Sequence, residues 1–153
     1  MKITDFLTPE RVILALRGKE KDEVLKEMAD GLAAYNPRLD EAEVLEVLSE
    51  REKVSTTAIG EGVAIPHGKL AAVHHIEGLF ARSAEGVDFA SLDGEPTHLF
   101  FVLVVPEDAA ADHLKALARI SRLLKDPAFR GRLMAGKTRE DIFNIIATED
   151  QKL

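Results

Sequence analysis

The longest uninterrupted apolar run of the chain, LFFVLVV at residues 99–105, constrains the fold more than any other feature. A strand that is apolar at every position buries both faces, as interior strands do when helices cover both sides of their sheet. Three further runs with β-strand character lie at residues 12–16, 63–65 and 76–82. The sequence therefore predicts a small sheet between two layers of helices.

Apolar residues at helical spacing occupy most of the remaining chain. They predict helices over about residues 19–34, 41–53, 109–125, 128–135 and from 139 onward. Asp40 and Thr138 begin patterns that are typical of capping boxes, and residues 54–62 have the hydroxyls and glycines of a loop. This order of elements predicts an α/β fold, a single three-layer α/β/α domain over residues 1–153 with a mixed sheet.

Composition narrows the classes of function. The net charge of −7 disfavours nucleic acid and anionic membranes as main partners. A chain without cysteine has no disulfide, thiol nucleophile or Cys-based zinc site, and it fits a reducing cytoplasm. The longest apolar run is far below the roughly 20 residues that cross a bilayer, and the N-terminus lacks the features of a signal peptide. We therefore predict a cytoplasmic location and no membrane insertion.

The segment GEGVAIPHGKL, residues 60–70, places one histidine between a proline and a glycine. Pro66 fixes its own φ, and Gly68, which has no Cβ, leaves room for a ligand or a partner backbone. His67 is predicted at the end of a buried strand, where a neutral imidazole is a good nucleophile and proton carrier. The same pattern also fits a turn histidine that only satisfies local hydrogen bonds.

Further candidates precede and follow this segment. Arg51 could bind phosphate oxygens in a bidentate way, or it could be a solvated arginine at a helix end. The hydroxyls of Ser55, Thr56 and Thr57 could donate to an anion, or they could stabilise a turn. His113 could point into a cleft or lie on the helix surface, and its place near a helix N-terminus favours the neutral imidazole.

The remaining histidines give no pattern of metal ligands. His74 and His75 are adjacent and diverge if they lie in a strand, and no HExxH motif or spaced carboxylate accompanies them or His98. We predict surface or strand-end positions for all three residues, and no metal site.

These residues together resemble a known family. Residues 51–70, REKVSTTAIGEGVAIPHGKL, resemble the active-site segment of the IIA proteins of the bacterial phosphotransferase system, fructose/mannitol type, and are most similar to the nitrogen-regulatory branch. Residues 87–126 resemble the family's DG-P turn, its apolar strand ending in VP, and its helix opening with HL. The resemblance extends from about residue 7 to residue 149 and implies one α/β/α domain around a mixed sheet.

The resemblance also implies a role for each matching residue. His67 would be the phosphoryl acceptor through Nε2, Arg51 would neutralise the phosphoryl oxygens, and His113 would be a second histidine beside the acceptor. Thr56 and Thr57 match the family's hydroxyl pair.

Together with Gly68, these threonines complete the predicted phosphate-binding set. The chain departs from the family at Ala58, where a glycine is common.

The implied function is that of a phosphocarrier. It would accept a phosphoryl group from an HPr-like histidine phosphoprotein, without metal or cofactor because the donor is already an activated phosphoramidate. Three outputs stay open. A nitrogen-type carrier would regulate targets such as kinases or transporters, a sugar-specific IIA component would pass phosphate to a transport IIB subunit, and a pure interaction module would use phosphorylation only as a switch.

Overall fold

A six-stranded mixed sheet forms the centre of the computed structural model, which describes residues 1–153. The strands are β1 (Val12–Ile13), β2 (Ala58–Gly60), β3 (Val63–Ala64), β4 (His67–Lys69), β5 (Glu77–Val87) and β6 (Thr97–Val105). They are arranged in the order β1-β5-β6-β3-β2. Strand β4 pairs in parallel with the last residues of β6, on the edge that β3 also occupies.

Five helices cover the sheet. They are α1 (Lys21–Tyr35), α2 (Glu41–Val54), α3 (Ala110–Leu124), α4 (Pro127–Ala135) and α5 (Arg139–Gln151). Two short 3-10 turns, Ile3–Asp5 and Pro9–Arg11, precede β1. None of the helices combines the length and the apolar character that crossing a bilayer requires.

Strand β6 separates two apolar cores, as its sequence predicts. Phe100, Val102 and Val104 pack into one core with the buried residues of α1 and α2. The alternate residues of the strand pack into the other core with α3, α4 and α5, and these residues are Leu99, Phe101, Leu103 and Val105. The predicted α/β fold, with helices on both sides of a mixed sheet, is confirmed.

Several predicted boundaries are wrong for physical reasons. The run 12–16 contributes only the two residues of β1, because it pairs with β5 alone at the edge of the sheet. The predicted loop 54–62 contains β2, which forms an antiparallel hairpin with β3. Asp40 caps α2 by accepting from the Ala42 amide at 2.9 Å, whereas the capping box at Thr138 is formed as predicted.

Candidate functional site

His67 begins a strand of its own, which corrects the prediction that it ends the run 63–65. Pro66 has no amide hydrogen, so it interrupts pairing between β3 and β4. Its carbonyl accepts from the Leu103 amide at 3.0 Å, and His67 pairs with Leu103 across the strands. Paired residues on neighbouring strands point to the same face of a sheet, and Leu103 lies in the core beneath α3–α5. His67 is therefore directed to the α3 side of the sheet.

The two ring nitrogens of His67 have different partners. Nδ1 lies 2.8 Å from the carbonyl oxygen of Ile65, and Arg51 Nε lies 3.3 Å from Nε2. A carbonyl oxygen and a guanidinium fix the tautomer, because the first can only accept and the second can only donate. The neutral ring therefore carries its proton on Nδ1 and presents the lone pair of Nε2.

The surroundings of His67 favour this neutral ring. Burial lowers the pKa of His67, and the charge of Arg51 lowers it further. The hydrogen bond to Ile65 and the carboxylate of Glu52 act in the opposite direction, but the pKa stays below its usual value. The Nε2 lone pair accepts only the 3.3 Å hydrogen bond from Arg51 Nε, which an incoming phosphoryl group can replace. Near neutral pH such an imidazole is a competent nucleophile.

Arg51 reaches the site from the last turn of α2. Its Nη1 donates to the carbonyl of Ser55 at 2.8 Å, which holds the guanidinium at the helix end. Because α2 lies on the other face of the sheet, the side chain extends around the open edge beside β4. The site therefore forms where the two helical layers meet at this edge.

His113 faces His67 from the first turn of α3. The ring centroids are 5.2 Å apart with planes at 68°. Burial lowers the pKa of His113, and the charges of His67 and Lys69 lower it further. Its Nε2 is buried and has no hydrogen-bond partner. A buried unpaired polar atom costs free energy, so this nitrogen is available to a ligand that enters the cleft.

A cleft of about 490 Å³ contains these groups. Its lining consists of Arg51, His67, Gly68 and His113 together with Glu46, Val47, Glu50 and Lys69. The sequence pattern did not single out the last four. The alternation of side chains along a β-strand could have identified Lys69, because it is two residues after His67 and so lies on the same face. Glu46 and Glu50 are four residues apart and so share a face of α2, a spacing that also describes many solvated helix surfaces.

The structure does not bring Thr56 and Thr57 into this cleft. The Thr56 hydroxyl donates to the carbonyl of Phe89 at 3.0 Å. The Thr57 hydroxyl is buried and donates to the carboxylate of Glu52. Both hydroxyls are engaged within the fold, so the predicted phosphate contact of these threonines is not part of the site that we propose.

Gly68 lines the cleft, but the prediction that its missing Cβ leaves room for a ligand or a partner backbone is wrong. A Cβ at this position would lie 3.0 Å from Val47 Cγ2 and 3.2 Å from the backbone carbonyl carbon of Val47. The glycine therefore allows α2 to pack closely on β4, and it does not leave room for a partner protein.

The other histidines lie apart from this arrangement. His74 and His75 are exposed, while His98 lies near the start of β6 with Nδ1 2.9 Å from the carbonyl of Ser83. No group of three or more His, Asp or Glu side chains is arranged to hold a metal ion.

Comparison with known proteins agrees with the predicted resemblance. The model of the family described as phosphoenolpyruvate-dependent sugar phosphotransferase system, EIIA 2, matches residues 5–149. The chain belongs to this family. The EIIA 2 assignment makes the chain a phosphotransfer component of the IIA type, and it confirms the resemblance that residues 51–70 and 87–126 indicate.

Individual relatives include a nitrogen regulatory protein and a fructose-specific component. The chain is 48% identical over 147 residues to the nitrogen regulatory protein of Bradyrhizobium diazoefficiens, a match that covers 96% of this chain and 95% of that protein. It is 40% identical over 151 residues to the fructose-specific EIIABC component of Bacillus subtilis, covering 99% of this chain but only 24% of that protein.

Among solved structures, the nitrogen regulatory protein IIA-Ntr of Neisseria meningitidis superimposes with a TM-score of 0.88 at 34% identity. The match covers 94% of this chain and 98% of that chain. The EIIA 2 fold therefore extends over nearly the whole molecule.

Proposed function

We propose that the chain is a phosphocarrier that accepts a phosphoryl group on Nε2 of His67 from an HPr-like histidine phosphoprotein. The observation that carries this proposal is the pair of contacts on the ring. Nδ1 is held by the Ile65 carbonyl, and Nε2 faces both the cleft and the guanidinium of Arg51.

The transfer exchanges one N–P bond for another. The bond between phosphorus and the donor histidine breaks while the bond to Nε2 of His67 forms. The donor ring, which is protonated at its other nitrogen, takes the electron pair and leaves as a neutral imidazole. Attack by Nε2 places positive charge on the ring of His67, and the Nδ1–H donates to the Ile65 carbonyl throughout. No metal is needed for this step, because the leaving group is already activated.

Arg51 and His113 would stabilise the transferred group. The transition state of phosphoryl transfer is loose and spreads charge over the equatorial oxygens. The guanidinium of Arg51, whose Nε donates to the attacking nitrogen at 3.3 Å, can turn to pair with these oxygens as the phosphoryl group arrives. Positioned charge is usually the largest single contribution to such catalysis. The unpaired Nε2 of His113 would supply a further hydrogen bond from the opposite wall.

The output that we propose is regulatory and of the nitrogen type, through binding of target proteins such as kinases or transporters that depends on phosphorylation. The near end-to-end match to a nitrogen regulatory protein supports this output. A phosphoryl group on His67 adds negative charge to a half-buried cleft and so alters any surface that docks there. We also propose a cytoplasmic location, which the phosphoenolpyruvate-dependent system of the family supports.

A second candidate is a sugar-specific IIA component that passes its phosphoryl group to a transport IIB subunit. The match to a fructose-specific EIIABC component favours it. Incubation of the phosphorylated chain with IIB proteins would separate the candidates, because a regulatory carrier transfers slowly or not at all to IIB.

The carrier proposal is tested by incubating the protein with phosphoenolpyruvate, Enzyme I and an HPr-like carrier, and then mapping acid-labile phosphate. We expect one phosphoryl group, on His67, and none in His67→Ala. Absence of label in the wild type, or label that persists in His67→Ala, would refute the proposal. Pull-downs with wild type, His67→Ala and His67→Glu test the switch, and identical partners in all three would argue against a phosphorylation-dependent output.

A further inference from the structure

The turn after α2 is fixed by a carboxylate that phosphoryl transfer does not use. Glu52 is buried, with 4% of its side chain exposed, although glutamate is rarely buried unless it is paired. Its Oε1 accepts from the Thr57 amide at 3.1 Å, and its Oε2 accepts from the Thr57 hydroxyl. Lys21 Nζ lies 2.8 Å from Oε1 and supplies the opposite charge. Both oxygens of this carboxylate are therefore engaged by residues from two other segments.

Two chains of hydrogen bonds that end on His67 begin in the segment 55–57, one at Thr57 and one at Ser55. In the first, the Thr57 carbonyl accepts from the Ile65 amide at 3.1 Å, and the Ile65 carbonyl accepts from Nδ1 of His67 at 2.8 Å. In the second, the carbonyl of Ser55 holds Arg51 Nη1 at 2.8 Å, and Arg51 Nε contacts Nε2 of His67 at 3.3 Å. The position of residues 55–57 therefore determines the partners of both ring nitrogens.

We propose that Glu52 is a positioning residue for phosphoryl transfer, which holds Thr57 so that both nitrogens of His67 keep their partners. The proposal rests on the function proposed above, in which His67 is the phosphoryl acceptor. Glu52 does not line the cleft and does not touch the transferred group. The charge of Glu52 also raises the pKa of His67. The positioning role is geometric, and a misplacement of about 1 Å at a reacting group can cost about 100-fold in rate.

The negative charge of Glu52 strengthens its hydrogen bonds with Thr57 and balances the charge of Lys21. Hydrogen bonds to an ionised acceptor are roughly twice as strong as neutral ones, and two acceptor oxygens are needed for the amide and hydroxyl of Thr57. A glutamine offers only one acceptor oxygen, and it would leave the partly buried Lys21 without its counter-charge. The two hydrogen bonds by which Glu52 holds Thr57, which we call the clamp, therefore depend on the carboxylate rather than on the shape of the side chain.

The experiment compares Glu52→Gln with a matched control, Asp150→Asn. Asp150 is also a buried carboxylate that is paired with an arginine, Arg119, and it accepts from the backbone amide of Ile3 at 2.7 Å. It lies at the end of α5 and does not line the cleft. Both substitutions remove one buried charge, but only Glu52→Gln releases the turn beside Arg51.

Two measurements are made on full-length protein. The ¹⁵N chemical shifts of the His67 ring, recorded without phosphorylation, report which nitrogen carries the proton. We expect one tautomer in the wild type and in Asp150→Asn, and a mixture of tautomers in Glu52→Gln. We also expect phosphoryl acceptance from an HPr-like donor to be about tenfold slower in Glu52→Gln than in Asp150→Asn. Identical ring shifts and equal rates in the two variants would overturn the proposal.

A milder pair of variants covers the case in which Glu52→Gln does not fold. Thr57→Val removes the hydroxyl that bonds Glu52 and keeps the backbone, while Thr57→Ser restores the hydroxyl. We expect the mixture of tautomers in Thr57→Val and its reversal in Thr57→Ser, and a single tautomer in both would count against the clamp. The ring shifts do not depend on phosphorylation. A wild type that takes no phosphoryl group would therefore refute the proposed function, while the shifts would still decide whether Glu52 positions His67.

Discussion

The two walls of the cleft differ in how completely their polar groups are bonded. On the α2 wall, Arg51 donates to the Ser55 carbonyl, and the ring of His67 is held at both nitrogens. Glu52, behind this wall, bonds Thr57. On the α3 wall, Nε2 of His113 is buried without a partner, and the neighbouring Leu114 is 68% exposed. The acceptor ring on the α2 wall is therefore oriented before any ligand arrives, whereas the histidine on the α3 wall still has an unused hydrogen-bonding nitrogen.

The caps of the two helices show the same difference. Asp40 caps α2 with its side chain, while the residue before α3 is Ala109, which has no side chain able to accept a hydrogen bond. A fixed acceptor and a less constrained opposite wall suit a carrier, because His67 must keep its geometry while different proteins approach it. Substitutions on each wall test whether the α2 wall contributes more to phosphoryl transfer than the α3 wall does.

The largest effect is expected on the α2 wall. Arg51→Ala removes the guanidinium that contacts Nε2 of His67, and we expect phosphoryl acceptance to fall about 100-fold with the fold retained. Rapid-quench measurement of acid-labile phosphate gives the rate. Arg51→Lys is the control, and it should recover only part of the rate, because an ammonium lacks the planar fork of the guanidinium. An unchanged rate in Arg51→Ala would contradict the assigned role.

A smaller effect is expected on the α3 wall. His113→Ala removes one hydrogen bond to a charged group, which corresponds to roughly tenfold in rate. His113→Gln, which keeps a side-chain donor, should lie between this variant and the wild type. If His113→Ala accepts the phosphoryl group more slowly than Arg51→Ala does, the order of the two walls is reversed. The α3 wall then contributes most of the stabilisation of the transition state.

The pH dependence should show both histidines together. The pKa of His67 and that of His113 are each lowered from 6.5, first of all by burial. The unfolded chain therefore binds protons more readily than the folded one as the pH falls below about 6.5. The stabilising contribution of the neutral rings is complete above that pH and is lost as the pH falls through the folded pKa values.

We expect the urea midpoint of the wild type to fall more steeply below pH 6.5 than that of the double variant His67→Gln/His113→Gln. NMR titration of the ring protons should give midpoints below 6.5 for both residues. Titration of either ring at or above 6.5 would show that the cleft does not exclude water to the extent that its burial implies.

The smallest expected effect concerns the packing beneath the site. Gly68→Ala brings a Cβ to 3.0 Å from Val47 Cγ2 and 3.2 Å from its carbonyl carbon, so α2 has to move away from β4 by a few tenths of an ångström. We expect a loss of about 1 kcal/mol in the free energy of unfolding, measured with urea. Gly94→Ala is not a suitable control because of its positive φ, whereas Gly131→Ala meets no atom within 4 Å. Equal stability of the Gly68 and Gly131 variants would show that α2 packs less tightly than described.

The sequence predicted the sheet and its two cores well, because seven consecutive apolar residues in β6 can be buried only between two layers. The helices followed from their spacing for the same reason. The length of β1 could not be predicted, because the apolar run 12–16 does not show that only β5 is available as a partner.

The site was predicted in part. Arg51, His67 and His113 meet in one cleft, and the resemblance had already grouped them. Thr57 bonds Glu52, which is only five residues earlier in the chain. The sequence could not show this contact, because it depends on how the backbone turns after α2. The reason for Gly68 was missed because Val47 approaches it from a separate helix.

The origin of the three site residues in separate segments has a consequence for folding. Arg51 and His67 are sixteen positions apart, and His113 joins them only when α3 packs on the other face of the sheet. Contacts between distant segments bear the entropy of loop closure, so they form late. An incompletely folded chain therefore displays the histidine without its arginine and second histidine. A donor protein would then transfer its phosphoryl group efficiently only to molecules in which both helical layers have already packed on the sheet.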